Sequence, residues 1–222
     1  MLSNWHVATD WPWVALFALG AYHGLNPGMG WLFAVALGLQ ENNGRAVLRA
    51  LPPIALGHFV STGLVVMALQ LAEPRLPHWT LRLLTAAILL AFGLFRLIRS
   101  RHPRWAGMRV GFRDLLLWSF LMASAHGAGL MLAPILLGWP QGGHGHSMAS
   151  LLPSLPAAVE ASAVRWWLPV VVHAVGYLAT TGLVAVVVYW KLGVGILRQA
   201  WLNLDLLWAI ALVVTGVLSL LL

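Results

Sequence analysis

The 222 residues are 60% hydrophobic and 9% charged, with a mean hydropathy of +0.84, well above the roughly 45–50% apolar content of soluble domains, so lipid must be the solvent and a soluble enzyme is excluded. There is no cysteine, which removes disulfides, thiolate metal sites and any dithiol relay. The formal charge of +7 suggests anionic partners, but without aromatic interleaving or a known motif it is read as membrane topology and not as a nucleic-acid surface.

A spanning helix takes about 20 apolar residues, and nearly uncharged runs fall at about 11–40, 47–71, 79–95, 115–139, 166–190 and 200–222. The expected fold is therefore an all-α membrane protein of six transmembrane helices, with short connections. Met1 to Trp13 has no Lys or Arg, so the first run lacks the basic region of a cleaved signal peptide and is expected to stay in place.

Basic residues then orient the chain. Arg45 and Arg49 follow the first run, Arg96, Arg99, Arg101, Arg104, Arg109 and Arg113 crowd the connection after the third, and Lys191 and Arg198 follow the fifth. Arg75, Arg82 and Arg165 remain for the other side. By the positive-inside rule the first group is cytoplasmic, which puts both termini and the loop at 140–164 on the extracytoplasmic side of a cell inner membrane. The basic loop also suits anionic lipid, and Arg outnumbers Lys twelve to one, a hint of a GC-rich bacterial genome.

The chain is also duplicated. Residues 55–67 read ALGHFVSTGLVVM and residues 174–186 read AVGYLATTGLVAV, with six identities in thirteen. Upstream, Ala21-Tyr22-His23-Gly24 corresponds to Ser124-Ala125-His126-Gly127, and each is followed by an apolar run ending in Leu-Gly, at Leu37-Gly38 and Leu137-Gly138. The expected organisation is a first three-helix repeat at 1–100, a basic cytoplasmic linker at 101–113 and a second repeat at 114–222, the second longer by about sixteen residues at its outside loop. Three helices per half make the second half enter from the opposite side, the inverted-repeat plan of many secondary transporters.

Within the first run, Asn26, Pro27 and Gly28 follow His23-Gly24-Leu25. Proline removes a backbone donor and glycine tolerates unusual dihedrals, so the helix should break there. The second half has Gly127, Gly129 and then Pro134 at the matching place. Non-helical backbone at membrane depth survives only where protein or water satisfies it, and transporters use such breaks to face their solute. Close helix packing through Gly and Pro is the plainer explanation.

Of nine histidines, His23, His58, His126 and His173 fall within the runs, where ionisable side chains are costly and mark function. Neutral imidazole ligates transition metals, relays protons or merely bonds a carbonyl. His23 and His126 sit beside the two breaks, and His58 corresponds to Tyr177, one helical turn from His173. Folding the halves about a pseudo-two-fold axis would gather them, with Asn26, near the midplane, and Ser61, Thr62, Thr180 and Thr181 could line the same place. His144 and His146 lie in a Gly-rich stretch of the outside loop and form a candidate accessory metal catch. Met29 and Met131 read as packing.

The two three-helix halves, the His near the end of a first half-helix and the Asn26-Pro27-Gly28 break resemble the broad group of six-helix transporters that includes lysine exporters, nickel/cobalt transporters and thiol-transferring cytochrome-biogenesis proteins. The nickel/cobalt branch carries His-x4-Asp-His, whereas His23 here is followed by neither an acid nor a second His over that spacing. The thiol-transferring branch needs a cysteine in each half, which this chain does not have.

The expectation is thus a non-enzymatic transporter of a divalent transition metal ion, with that ion as substrate and no permanently bound cofactor. The lipid bilayer is its partner, and a homo-oligomer is compatible with the sequence. The alternative is an exporter of a small organic or amino-acid-like solute with histidine-mediated proton coupling. An intramembrane enzyme using Ser124 or Ser61 is disfavoured by the lack of a Gly-x-Ser-x-Gly elbow, a His-Glu-x-x-His helix or an intramembrane carboxylate pair.

Overall fold

The computed structural model describes residues 7–98, 111–138, 163–192 and 197–221. Nearly all of the basic linker and of the outside loop, including His144 and His146, lies outside these residues. All regular structure among the described residues is helical.

Helix α1 (Val7–Leu25) stops at a break whose middle, Pro27–Met29, is a 3-10 turn, and the chain restarts as α2 (Trp31–Gln40). Asn42, at φ 47°, then ends α2. Its neighbour's amide, Asn43 N–H, reaches back to the Gly38 carbonyl at 3.0 Å, and the Asn42 N–H to Leu39 at 3.3 Å, the pair of bonds by which a left-handed residue closes a helix. The Asn43 side chain caps the next helix by accepting from the Arg45 amide at 3.0 Å.

Helix α3 (Gly44–Ala72) and α4 (His78–Ile98) complete the first half. In the second, α5 (Phe112–Ala125) ends at another break, with a 3-10 turn at Leu130–Leu132, before the short α6 (Ala133–Gly138). Helix α7 (Leu168–Val187) is flanked by π-helical turns at Ala163–Trp167 and Val188–Leu192, and α8 (Leu197–Leu221) follows.

Among the described residues three helical stretches, Gly44–Ala72, His78–Phe95 and Arg165–Lys191, are long and apolar enough to cross a membrane. The pair Phe112–Ala125 and Leu130–Gly138, bent by 47°, makes a fourth if it counts as one broken span. The distribution of polarity fits a lipid solvent. Large apolar residues such as Val14, Leu64, Leu84, Leu117 and Leu183 are exposed, while His23, His58, His126, His173, Ser61, Thr62 and Thr181 are buried. By length and composition these helices suit a membrane protein.

Three helix pairs dominate the packing: α1 lies along α7, α3 along α5 and α4 along α8. Small residues permit the close approach that drives association in lipid. A Cβ on Gly176 would stand 2.3 Å from the Phe17 carbonyl oxygen, and one on Gly57 would stand 2.3 Å from that of Leu116. At one end of the bundle, Glu73 at the C-terminus of α3 accepts from Arg165 ahead of α7 and lies 3.3 Å from His78 Nε2 at the start of α4.

Candidate functional site

Three of the four histidines expected within the apolar runs, His23, His58 and His173, meet. His58 and His173, on α3 and α7, lie with Nε2 atoms 3.1 Å apart and rings nearly parallel, 5.3 Å between centroids. His23, at the end of α1, stands edge-on to both, with centroids 5.0 Å from His173 and 5.7 Å from His58. All three are fully buried. The approach of α1 to α7 brings His23 in, because Gly20 and Gly24 let the α1 backbone sit against the His173 and Tyr177 carbonyls.

Hydrogen bonding constrains the protons. His23 Nδ1 donates to the Leu19 carbonyl at 2.7 Å, so in the neutral ring Nε2 carries the lone pair. Between His58 and His173 one Nε2 must be the donor and the other the acceptor. His58 Nδ1 makes no hydrogen bond. A ring N–H held by a backbone carbonyl, with the other nitrogen left as base, is the outer-shell arrangement of metal-ligating histidine.

His126 repeats that arrangement at the second break, with Nδ1 donating to the Met122 carbonyl at 2.7 Å. It caps α5, whereas the trio is built from α1, α3 and α7. A serine contact ties this region to α3: Ser124 Oγ, two residues before His126, is 2.8 Å from Ser61 Oγ, one turn beyond His58.

Tyr177 stacks on His58, with centroids 3.8 Å apart and planes 10° from parallel, and its hydroxyl donates to the Met29 carbonyl in the first break. Ser119 and Thr181 stand beside the phenol. Thr62 turns its hydroxyl back onto the His58 carbonyl at 3.0 Å and so faces its own helix.

The first break is held by side chains. Asn26 Oδ1 accepts from the Gly28 amide at 2.9 Å. Trp31 Nε1 donates to the Leu25 carbonyl at 2.9 Å and Trp118 Nε1 to that of Gly28 at 3.0 Å. Gly30, at φ 143°, adopts a backbone conformation closed to other residues, and a Cβ there would stand 2.4 Å from Ile54 Cγ2. Pro27 and Gly28 are buried within the turn.

At the second break Gly127 takes φ 67°, and Gly129 brings the chain against α3, where a Cβ would stand 2.6 Å from Val65 Cβ. Pro134 is the second residue of α6, where its missing amide hydrogen leaves no helical bond unmade. Met29 and Met131 are packed in the core.

Sequence reasoning missed Trp31 and Trp118 as anchors of the first break. Trp31, five residues after Asn26, was open to suspicion as a donor near freed carbonyls. Trp118 is 90 residues from its acceptor Gly28 and gave no local signal.

Among the described residues no three His, Cys, Asp or Glu side chains are grouped as a ready metal site. A cavity of about 400 Å³ lies away from the trio, between the start of α3 and the end of α7, lined by Asn43, Arg45, Leu48 and Trp190 among others.

No protein-family model matches the chain, and no curated protein or solved structure matches it either.

Proposed function

We propose that the chain is a membrane transporter for a divalent transition metal ion, and that the His23–His58–His173 trio is the solvent-excluded form of its site. The observation that carries the reading is the meeting of three imidazoles from three helices at full burial, with no protein carboxylate described among them. Two nitrogens bound to a tetrahedral ion at roughly 2.0–2.1 Å lie about 3.3 Å apart, close to the 3.1 Å between His58 and His173 Nε2. His23, edge-on to both rings at 5.0 and 5.7 Å between centroids, is the third ligand. His126, held in the same tautomer as His23, serves as a second, transient ligand on the path, with Asn26 and Tyr177 lining it.

The architecture belonging to this reading is six spans in two inverted repeats, with α1–α2 and α5–α6 as broken spans. Its support is the exchange of partners between halves. Gly57 packs α3 onto α5, and its repeat mate Gly176 packs α7 onto α1, while the third helices, α4 and α8, pack on each other. Such a plan places solute at the interface of the repeats. On this reading the α2–α3 turn, followed by Arg45 and Arg49 at the start of α3, faces the cytoplasm of a bacterial inner membrane, in keeping with the positive-inside rule.

One specific observation favours a second reading. Two imidazoles sharing a hydrogen bond, with no ready three-ligand site, suit a proton relay in an exporter of a small organic solute.

Proteoliposome flux separates the two. With Ni, Co, Zn, Cu and Mn offered singly and a pH dye enclosed, the metal reading expects metal entry that the His58→Ala, His173→Ala double substitution abolishes. Proton movement without metal flux, lost in the same variant, would replace it with the second reading.

A further inference from the structure

We propose that Tyr177 is the latch by which the histidine trio controls the first helix break. The side chain stands between the two: its ring lies flat on His58, 3.8 Å between centroids, and its hydroxyl holds the Met29 carbonyl. Both contacts are fully buried. A carbonyl at a helix break in lipid needs a donor, because water is not there to supply one. Met29 is the last residue of the 3-10 turn, directly before the strained Gly30, so the phenol holds the chain at the point where it reverses from one conformation to the next.

The geometry makes the two contacts interdependent. A ring stacked on His58 can keep its hydroxyl on Met29 only while His58 stays in its present orientation. Turning the His58 imidazole toward a solute, or parting α3 from α7, moves the ring and frees the carbonyl. The other two aromatic donors differ: Trp31 is four residues beyond the turn's start on α2 itself, and Trp118 comes from α5, where its ring packs on Phe33. Tyr177 is therefore a positioning residue for the gate and not a ligand. This assignment rests on the transporter reading only in taking the trio as the place where solute sits.

Since the chain contains no cysteine, a Met29→Cys substitution gives a single thiol reporter in the break, and its alkylation by iodoacetamide in detergent, with iodide as the leaving group, reads opening without any solute. Tyr177→Phe keeps the stack and removes the hydroxyl, and we expect it to raise the alkylation rate about tenfold, the population shift that goes with losing one intramembrane hydrogen bond. His58→Ala should raise the rate similarly, and the double variant should not exceed the larger single effect. Tyr177→Met serves in place of the Phe variant if that protein is not isolated folded. An unchanged rate with the hydroxyl removed overturns the latch, and effects that multiply in the double variant overturn its dependence on His58. Because no metal enters the experiment, an absence of metal flux through the unaltered protein in the proteoliposome test would refute the choice of solute while leaving these rates to decide the latch alone.

Discussion

The two helix breaks occupy equivalent places in the two halves but are held by different means. The break after α5 is closed by its own backbone. Ala128 N–H reaches the Ala123 carbonyl at 3.0 Å and Gly127 N–H that of Ser124 at 3.1 Å, around a glycine at φ 67°, which is the Schellman arrangement of a helix end. The break after α1 has backbone bonds of its own, Asn26 N–H to His23 and Met29 N–H to Asn26, but depends as well on side chains, two of them local, Asn26 and Trp31, and two brought by other helices, Trp118 and Tyr177. A turn closed by its own backbone is insensitive to neighbouring helices, whereas one closed by distant donors responds when they move. The first break is thus the one suited to gating and the second the one suited to a fixed support.

The largest effect should come from Gly30→Ala. The φ of 143° excludes an L side chain and the added methyl would meet Ile54 at 2.4 Å, so a loss of about 3 kcal/mol or more is expected, read as a collapse of thermal stability in detergent. At the second break Gly127→Ala should cost only about 1–2 kcal/mol, the penalty of the left-handed region, and Gly127→Asn less, because Asn tolerates it. If Gly127→Ala proves as damaging as Gly30→Ala, the second break is not self-supporting.

Asn26→Ala should cost about 1 kcal/mol through loss of the bond to the Gly28 amide and should increase thiol access at Met29→Cys in the same direction as Tyr177→Phe. Smallest of all, Ser124→Ala removes only one hydroxyl of the Ser61 pair and is expected to lower stability by about 0.5–1 kcal/mol with little change in thiol access. Equal access changes from Asn26→Ala and Ser124→Ala would erase the contrast between the breaks.

Much of this was legible in the sequence for stated reasons. Asn26-Pro27-Gly28 announced the first break because proline and glycine act locally, and His23 beside it was visible as an ionisable group in an apolar run. The Gly-Thr-Gly spacing shared by 57–63 and 176–182 pointed to equivalent helix contacts, since glycine in a membrane helix permits backbone approach. The partition of the histidines was not legible: that His173 joins His23 and His58 depends on α7 lying against α1, a tertiary fact. Nor were the roles of Trp118 and Ser119, whose acceptors, Gly28 and Ile54, lie far away in sequence. The hydroxyls of Thr62 and Thr181 looked like cavity lining by type alone, yet Thr62 bonds its own helix, as threonine in a membrane helix readily does.

The most direct test of the central claim is equilibrium titration of the purified, detergent-solubilised protein with Ni, Co, Zn, Cu and Mn, comparing the unaltered chain with the His58→Ala, His173→Ala variant. The metal reading predicts binding of about one ion of at least one of these metals per chain, lost in the variant, as expected when two ligands of a three-nitrogen site are removed. Absence of binding in either protein, or equal binding in both, would contradict it.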